Sequence, residues 1–219
     1  EAAGDIRHLA FSSGIDDIIR EAFSDGEKKL VVLISRSSYS AEDMAAAVTR
    51  VYREDPALVP KEPLASVNMY SGTGAQRLYE ISINYGMTSE ELDARTAQLQ
   101  AVDAFAELDT SGMSEAELAY AACEYLMEHC AVSDDRSDNT AYAALVGGRA
   151  DSEGAALAYI VLCRELGIDC RIVYGQEDWT EHCWNIVRID GSYYHVDITT
   201  AIENGAEAGF LMNDEMAWG

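Results

Sequence analysis

One stretch, residues 149–200, constrains the fold of this chain most strongly, because it combines a buried helix with a hairpin. From Glu153 to Gly167 the sequence is apolar nearly all round, which predicts a buried helix that ends at Gly167. Asp151 or Ser152 is the expected N-cap, since a short side-chain oxygen accepts the unpaired N–H groups of a first turn. Ser152 is therefore expected at the positive end of a helix, where an anion is stabilised.

The second part of this stretch is typical of a β-hairpin. Segments 182–189 and 192–199 flank Asp190-Gly191, a dipeptide that favours a two-residue type I′ turn. That turn sets His182 diagonally across from Asp197, on the same face of the hairpin. Diagonal neighbours lie about 7–8 Å apart, which a carboxylate and an imidazole can bridge. The predicted parts are thus a hydroxyl nucleophile, a base and the group that orients the base.

Three further side chains near this face are candidates for a role. Trp184 and His195 alternate onto the same side as His182, and Tyr142 precedes the site in a loop. Trp184 is most simply a core residue, and Tyr142 offers a hydroxyl for substrate contact. His195 has a metal ligand's chemistry, but no short-spaced His or Cys pair accompanies it. We therefore expect neither a metal nor any other cofactor.

Four motifs carry a resemblance to a known family. They are Gly-Arg-Ala-Asp-Ser-Glu-Gly at 148–154, Leu-Gly-Ile-Asp-Cys-Arg-Ile-Val-Tyr-Gly at 166–175, His-Cys-Trp-Asn at 182–185 and Tyr-Tyr-His-Val-Asp at 193–197. Together, over roughly residues 114–200, they resemble the bacterial transglutaminase-like superfamily. The resemblance implies a papain-like α+β core, in which a helix packs on an antiparallel sheet, and a Cys–His–Asp triad.

At the centre of the site the sequence departs from the family pattern. His182 and Asp197 occupy the family's His and Asp places, but Ser152 stands where the family has its nucleophilic cysteine. The resemblance also places Trp184 near the site, where with Tyr142 it would contact substrate. We therefore expect a Ser152–His182–Asp197 site that is catalytically impaired, because a hydroxyl, unlike a thiol, must lose its proton during attack.

Three functions remain open at this point. In the first, the chain is an active thiol-type acyl transferase or peptidase. In the second, it is a non-catalytic binding module that retains the family's cleft. In the third, it is a competent enzyme in which Ser152 is an introduced replacement for cysteine. The expected partner is a peptide, a protein or a cell-wall polymer. Sequence alone does not decide whether the chain is an enzyme.

The formal net charge of −24 narrows the choice of partners. Contacts to phosphate need clustered Lys and Arg, so we expect no binding of nucleic acid. The charge permits a cationic partner, although its simplest effect is solubility. No apolar run approaches the roughly 20 residues that span a bilayer, so no membrane-spanning segment is expected. The cell exterior or cell surface is the expected location, because the chain is acidic and starts at Glu1 without Met.

The five cysteines, an odd number, do not indicate a disulfide scaffold. Cys183 follows His182 in a strand and points to the other face, so it is a poor substitute nucleophile. Upstream, segments 66–70 and 79–85 read as paired strands, and a helix is predicted from Ser89 to about Leu108. We expect a division into an α+β N-terminal region, residues 1–110, and a core, residues 111–219.

Overall fold

A computed structural model describes residues 6–177 and 179–213 of the chain. Its first half alternates strands with helices in a mixed sheet. The elements are β1 (Ile6–Phe11), α1 (Ile15–Ser24), β2 (Lys29–Arg36), α2 (Ala41–Glu54), β3 (Leu64–Ser71), β4 (Arg77–Asn84) and α3 (Ser89–Gln100). The sheet order is β1-β2-β4-β3, with β1 parallel to β2 and the other pairs antiparallel.

Local sequence signals explain several of these elements. Ser40 and Asp43 form a capping box at the start of α2, as their spacing predicts. The predicted pairing of β3 with β4 is confirmed, with Val67 opposite Ile81. The helix predicted from Ser89 to Leu108 is too long, because α3 ends at Gln100. The N–H groups of residues 101 and 102 close the last turn there, although no Gly or Pro marks the stop.

The second half of the chain forms the core predicted around residues 149–200. Its elements are α4 (Glu115–His129), β5 (Ala131–Val132), α5 (Ala141–Leu145), β6 (Arg149–Ala150), α6 (Ser152–Glu165), β7 (Asp169–Glu177), β8 (Thr180–Ile189), β9 (Ser192–Val196), α7 (Ile198–Asn204) and α8 (Ala206–Gly209). Strands β7, β8 and β9 form an antiparallel sheet in that order, and α6 packs on β7 and β8. The expected α+β core, a helix on an antiparallel sheet, is confirmed.

The second strand of the hairpin is shorter than its sequence pattern predicts. The pattern extends to Thr199, but β9 ends at Val196 and Asp197 turns the chain into α7. The reason is that the Asp197 carboxylate accepts from the Thr200 N–H, which makes Asp197 an N-cap. This turn keeps Asp197 at the end of the sheet, beside β8.

One hydrophobic cluster runs through both halves of the chain, from Ile15 and Val48 in the first half to Leu126 and Ile198 in the second. The proposed division at about residue 110 stays a prediction. Within the described ranges, 6–177 and 179–213, no helix is both long and apolar enough to cross a membrane.

Candidate active site

The start of α6 fixes the position of Ser152. Asp151 is the N-cap, because its Oδ1 accepts the Gly154 N–H at 2.9 Å, and Ser152 is the first residue of the helix. Of the two residues that the sequence offers as caps, Asp151 therefore fills the role. Ser152 lies where the unpaired N–H groups and the positive end of the helix dipole stabilise negative charge.

A loop wraps this helix start and explains the small residue inside it. The Asp151 N–H donates to the Asp138 carbonyl oxygen at 3.2 Å, and a Cβ at Gly154 would overlap the same oxygen. Arg149 also holds this loop in place, because its Nε donates to the Asp138 carboxylate at 2.8 Å and its Nη2 donates to the Ser133 hydroxyl at 2.8 Å. The helix start is thus held on its outer side as well as by its cap.

The hairpin register agrees with the one predicted from its turn. Ile189 pairs with Ser192 and Asn185 with Val196. Both turn residues have positive φ, 49° at Asp190 and 82° at Gly191, as a type I′ turn requires. Continuing this register by one residue places Trp184 opposite Asp197, so His182 lies on the diagonal.

His182 and Asp197 are in direct contact across the end of the sheet. The His182 Nε2 and the Asp197 Oδ2 are 2.6 Å apart. The other carboxylate oxygen accepts from the Thr199 hydroxyl at 2.8 Å and from the Thr200 N–H at 3.0 Å. Burial raises the pKa of Asp197, but hydrogen bonds from His182, Thr200 and Thr199 outweigh it and hold the pKa below its usual value.

The charge on Asp197 assigns the tautomer of His182. An ionised carboxylate only accepts hydrogen bonds, so the Nε2 of His182 carries a proton. In neutral His182 the basic nitrogen is therefore Nδ1.

A cleft joins the two parts of the site, and both Ser152 and His182 line it. It has two lobes of about 420 Å³ each. Both lobes are bounded by the same central residues, which are Arg136, Asp151, Ser152, Glu181 and His182. The backbone N–H of Cys183 donates to the Ser152 Oγ at 3.2 Å, which ties the start of α6 to β8.

Each lobe has side chains of its own. The first lobe adds Arg53, Glu153, Tyr174, Gly175, Gln176 and Cys183. The second adds Val132, Ser133, Asp134, Thr180, Thr199, Thr200, Glu203 and Asn204. Five carboxylate side chains against two guanidinium groups line the described cleft, so it attracts cations more than anions.

On the helix side of the site, carboxylates flank position 152 directly, and burial acts on their charge. Burial, together with the charge of Glu153, raises the pKa of Asp151. Burial, followed by the charges of Glu153 and Asp151, raises the pKa of the Cys183 thiol to about 12. Burial and neighbouring charge therefore make Cys183 a poor source of thiolate, although it lines the first lobe. The reason predicted from the sequence, its place on the other face of the strand, is a different one.

Trp184 lies next to His182, two residues further along β8. The two rings are nearly parallel, with centroids 6.1 Å apart, and the Trp184 Nε1 donates to the Nδ1 of His195 at 2.9 Å. Because that nitrogen accepts, neutral His195 carries its proton on Nε2. A Cβ at Gly175 would overlap the indole, so only glycine fits there beside Trp184. Trp184 is only 7% exposed, and its contact with substrate stays a prediction.

Tyr142 lies in the short helix α5, and not in a loop as predicted from the sequence, and its side chain is directed toward α3. Its hydroxyl donates to the Gln98 Oε1 at 2.6 Å, and the guanidinium of Arg95 lies over its ring at 5.6 Å. A role for Tyr142 in substrate contact likewise stays a prediction. Among residues 6–177 and 179–213, no group of three His, Cys, Asp or Glu side chains is arranged to hold a metal ion.

Several cleft residues escape the sequence reasoning. The Tyr174 hydroxyl donates to the Glu153 Oε1 at 2.9 Å, and the guanidinium of Arg53 lies 4.2 Å from the centroid of the Tyr174 ring. Glu153 could have been found as the neighbour of Ser152. Arg53 belongs to α2, and nothing in the sequence links it to the site. The N-terminal region therefore contributes to one wall of the cleft.

Comparison with known proteins gives one match to a family. Residues 103–198 match the model of the transglutaminase-like superfamily. This range contains the helix start, the central strand and the hairpin described above. No curated protein sequence matches the chain.

Two solved structures are similar to the chain at low identity. One is a TGase, which is 12% identical with a TM-score of 0.40, and the match covers 90% of this chain and 59% of that one. The other is a proposed cysteine protease from Cytophaga hutchinsonii, also 12% identical with a TM-score of 0.40, with 63% and 64% covered. The chain thus spans less than two thirds of either protein, and likenesses this weak carry no inference about reaction or residues.

Proposed function

Since residues 103–198 are a transglutaminase-like region, we propose that the cleft binds a peptide, protein or cell-wall polymer segment beside a Ser152–His182–Asp197 site. The site turns its ligand over poorly as it stands, because the nucleophile position holds a hydroxyl. The observation that carries this proposal is the 2.6 Å contact between His182 and Asp197 in a cleft that also contains Ser152.

Each residue of the proposed site has a definite task. The Oγ of Ser152 would attack an amide carbon while its proton passes to the Nδ1 of His182. His182 would then return that proton to the departing amine, which leaves an ester on Ser152. Asp197 holds the imidazole and stabilises its charged form. Water or a second amine would then attack the ester and regenerate the hydroxyl.

The chemistry of the hydroxyl makes this reaction slow for serine, and the surroundings of position 152 act on an anion there in two opposed ways. A thiol forms a thiolate near neutral pH, whereas a hydroxyl must be deprotonated during attack. Asp151 and Glu153 flank position 152, and like charges disfavour an anion there. Position 152 also lies at a helix N-terminus, which favours an anion, so the balance of the two effects is open to measurement.

A second candidate function is acyl transfer or peptide hydrolysis by a form of the protein that has cysteine at position 152. What favours it is the completeness of the His182–Asp197 pair, whose carboxylate is fully hydrogen-bonded and whose pKa is lowered. A binding module alone has no need of this pair. We propose the cell exterior or cell surface as location, and fractionation of the source cells would test it.

The Ser152→Cys variant separates these possibilities. We expect its introduced thiol to react with iodoacetamide faster than the five native cysteines do, and the variant to release ammonia from Gln-containing peptides more readily than the serine protein. His182→Ala in this background should lower the alkylation rate strongly. Asp197→Asn should lower it less, because Asp197 acts through the imidazole.

A matched control isolates the effect of the helix end. Ser89 is likewise the first residue of a helix, α3, but the Lys28 Nζ donates to its Oγ at 2.9 Å. Ser89→Cys is therefore made together with Lys28→Met, which supplies a thiol at a helix start without His182 or a neighbouring cation. We expect it to react more slowly than the thiol introduced at position 152. Reactivity at position 152 no higher than that of Ser89→Cys would contradict the triad. Ammonia release by the serine protein at a rate similar to that of Ser152→Cys would contradict its impairment.

A further inference from the structure

Asn185 is a polar residue in a position that packing alone would give to an apolar one. It lies in β8 with no exposed surface. Its Nδ2 donates to the Ala156 carbonyl oxygen at 3.0 Å and makes a longer contact of 3.5 Å with that of Arg171. Its Oδ1 is buried and has no hydrogen-bond partner within the described residues. A half-satisfied buried amide destabilises a core relative to an apolar group of its size, so stability does not explain this residue.

The position of the Asn185 contact suggests a different role. Ala156 lies one turn along α6 from Ser152, and the next alternate residue of β8 toward the site, Cys183, donates its N–H to the Ser152 Oγ. The helix is thus tied to the strand at two points. A single hydrogen bond would permit the helix to rotate or slide on the sheet. Two hydrogen bonds determine both the position of the helix along the strand and its rotation about its own axis.

We infer that Asn185 is a positioning residue, which holds the start of α6 so that position 152 faces His182. The chemical part of this inference rests on the proposed function. His182 and Asn185 belong to the same strand, so a helix held by Asn185 keeps its distance from the imidazole as the molecule fluctuates. Misplacement by about 1 Å can cost on the order of 100-fold in rate, so a small shift is measurable.

The first experiment uses the Ser152→Cys protein and measures the pH dependence of alkylation of its introduced thiol by iodoacetamide. Adding Asn185→Leu should lower the rate at neutral pH about tenfold or more and move the midpoint to higher pH. Asn185→Ala, which adds no volume, should do the same. Both variants leave unchanged the charged or titratable groups that line the first lobe around position 152, which are Arg53, Arg136, Asp151, Glu153, Tyr174, Glu181, His182 and Cys183.

The control removes a comparable bond from the same helix. The Tyr159 hydroxyl donates to the Ala119 carbonyl oxygen at 3.0 Å, which ties α6 to α4. Tyr159→Phe should leave the pH profile where it is, although it removes a buried hydrogen bond and so lowers the urea midpoint of unfolding. Asn185→Leu should move the profile without a comparable loss of stability.

A second measurement does not depend on thiol chemistry. In the serine protein, hydrogen exchange at the Cys183 amide reports the bond to Ser152. We expect Asn185→Leu to speed this exchange by roughly an order of magnitude, while Tyr159→Phe does not. If the introduced thiol is unreactive but this amide responds, the positioning role stands and the proposed triad fails. If neither the amide nor the profile responds to Asn185→Leu, the positioning role is wrong.

Discussion

The two sides of the cleft differ in how their surroundings treat a negative charge. On the hairpin side, His182 and Asp197 are bonded at 2.6 Å, and the pKa of Asp197 is lowered. On the helix side, Ser152 follows Asp151, whose pKa is raised by burial and by the charge of Glu153. A charge is stabilised on one side and penalised on the other. For the proposed site, the difference means that the surroundings of the base and its orienter favour the charge that they carry, whereas those of the nucleophile position do not.

The largest effect on stability is expected from Gly154→Ala, in the first turn of α6, where the loop that contains Asp138 packs on the helix. In Gly154→Ala, the new Cβ overlaps the backbone oxygen of Asp138, and backbone yields less readily than a side chain. We expect the unfolding free energy in urea to fall by about 3 kcal/mol. Gly209→Ala is the matched change beside Asp197, because Gly209 is the last residue of α8 and its Cβ would overlap the Asp197 carbonyl oxygen, so we expect a similar loss. Stability within about 0.5 kcal/mol of the parent for Gly154→Ala would show that the loop does not pack on the helix start.

A smaller effect is expected from Asp197→Asn. At pH 7 the change removes charge-assisted hydrogen bonds and should cost about 2 kcal/mol of unfolding free energy. The pKa of Asp197 is lowered in the fold, so its contribution is complete above the unfolded pKa of about 3.9 and is lost as pH falls through the folded value. The difference between the two proteins should therefore shrink below about pH 4. A difference independent of pH would mean that the carboxylate charge contributes nothing.

The smallest effect on the free energy of unfolding is expected from Asp151→Asn, and this change should stabilise the protein. Asparagine caps a helix as well as aspartate does, so the bond to Gly154 is kept while the charge is removed. The pKa of Asp151 is raised in the fold, so ionisation costs stability as pH rises from the unfolded pKa through the folded one. The variant should be more stable at pH 7 by less than about 1 kcal/mol, because water screens a partly exposed group.

The same variant tests the chemistry of the helix side. In the Ser152→Cys protein, Asp151→Asn should speed alkylation of the introduced thiol at neutral pH, because one neighbouring negative charge is gone. The gain in stability should disappear below about pH 4 in urea titrations. A loss of stability at pH 7 would mean that the helix dipole outweighs burial at this N-cap.

Some features of the site could be predicted because they depend on residues near one another in sequence. The turn at Asp190-Gly191 needs only positive φ at two positions, and it carries the register that brings His182 beside Asp197. The apolar run that ends at Gly167 specifies a buried helix by its pattern alone. Local conformation and alternation suffice for both.

Other features required the packed structure. The length of β9 depends on a competition at Asp197. Its backbone could continue the strand, or its carboxylate could cap a helix, and the cap prevails. The same holds for Asp151 over Ser152 as the cap of α6. In such cases two local preferences of similar strength meet, and contacts from elsewhere in the chain decide between them.

The sequence by itself determined the buried helix, the hairpin and its register, and the chemical types of the three central side chains. Only the tertiary structure brought Arg53 of α2 over Tyr174 and tied Asn185 to α6. It also set the unequal electrostatics of Asp151 and Asp197. The physical reason is that turns and caps depend on backbone conformation within a few residues, whereas burial and charge depend on which distant segments displace water around a group.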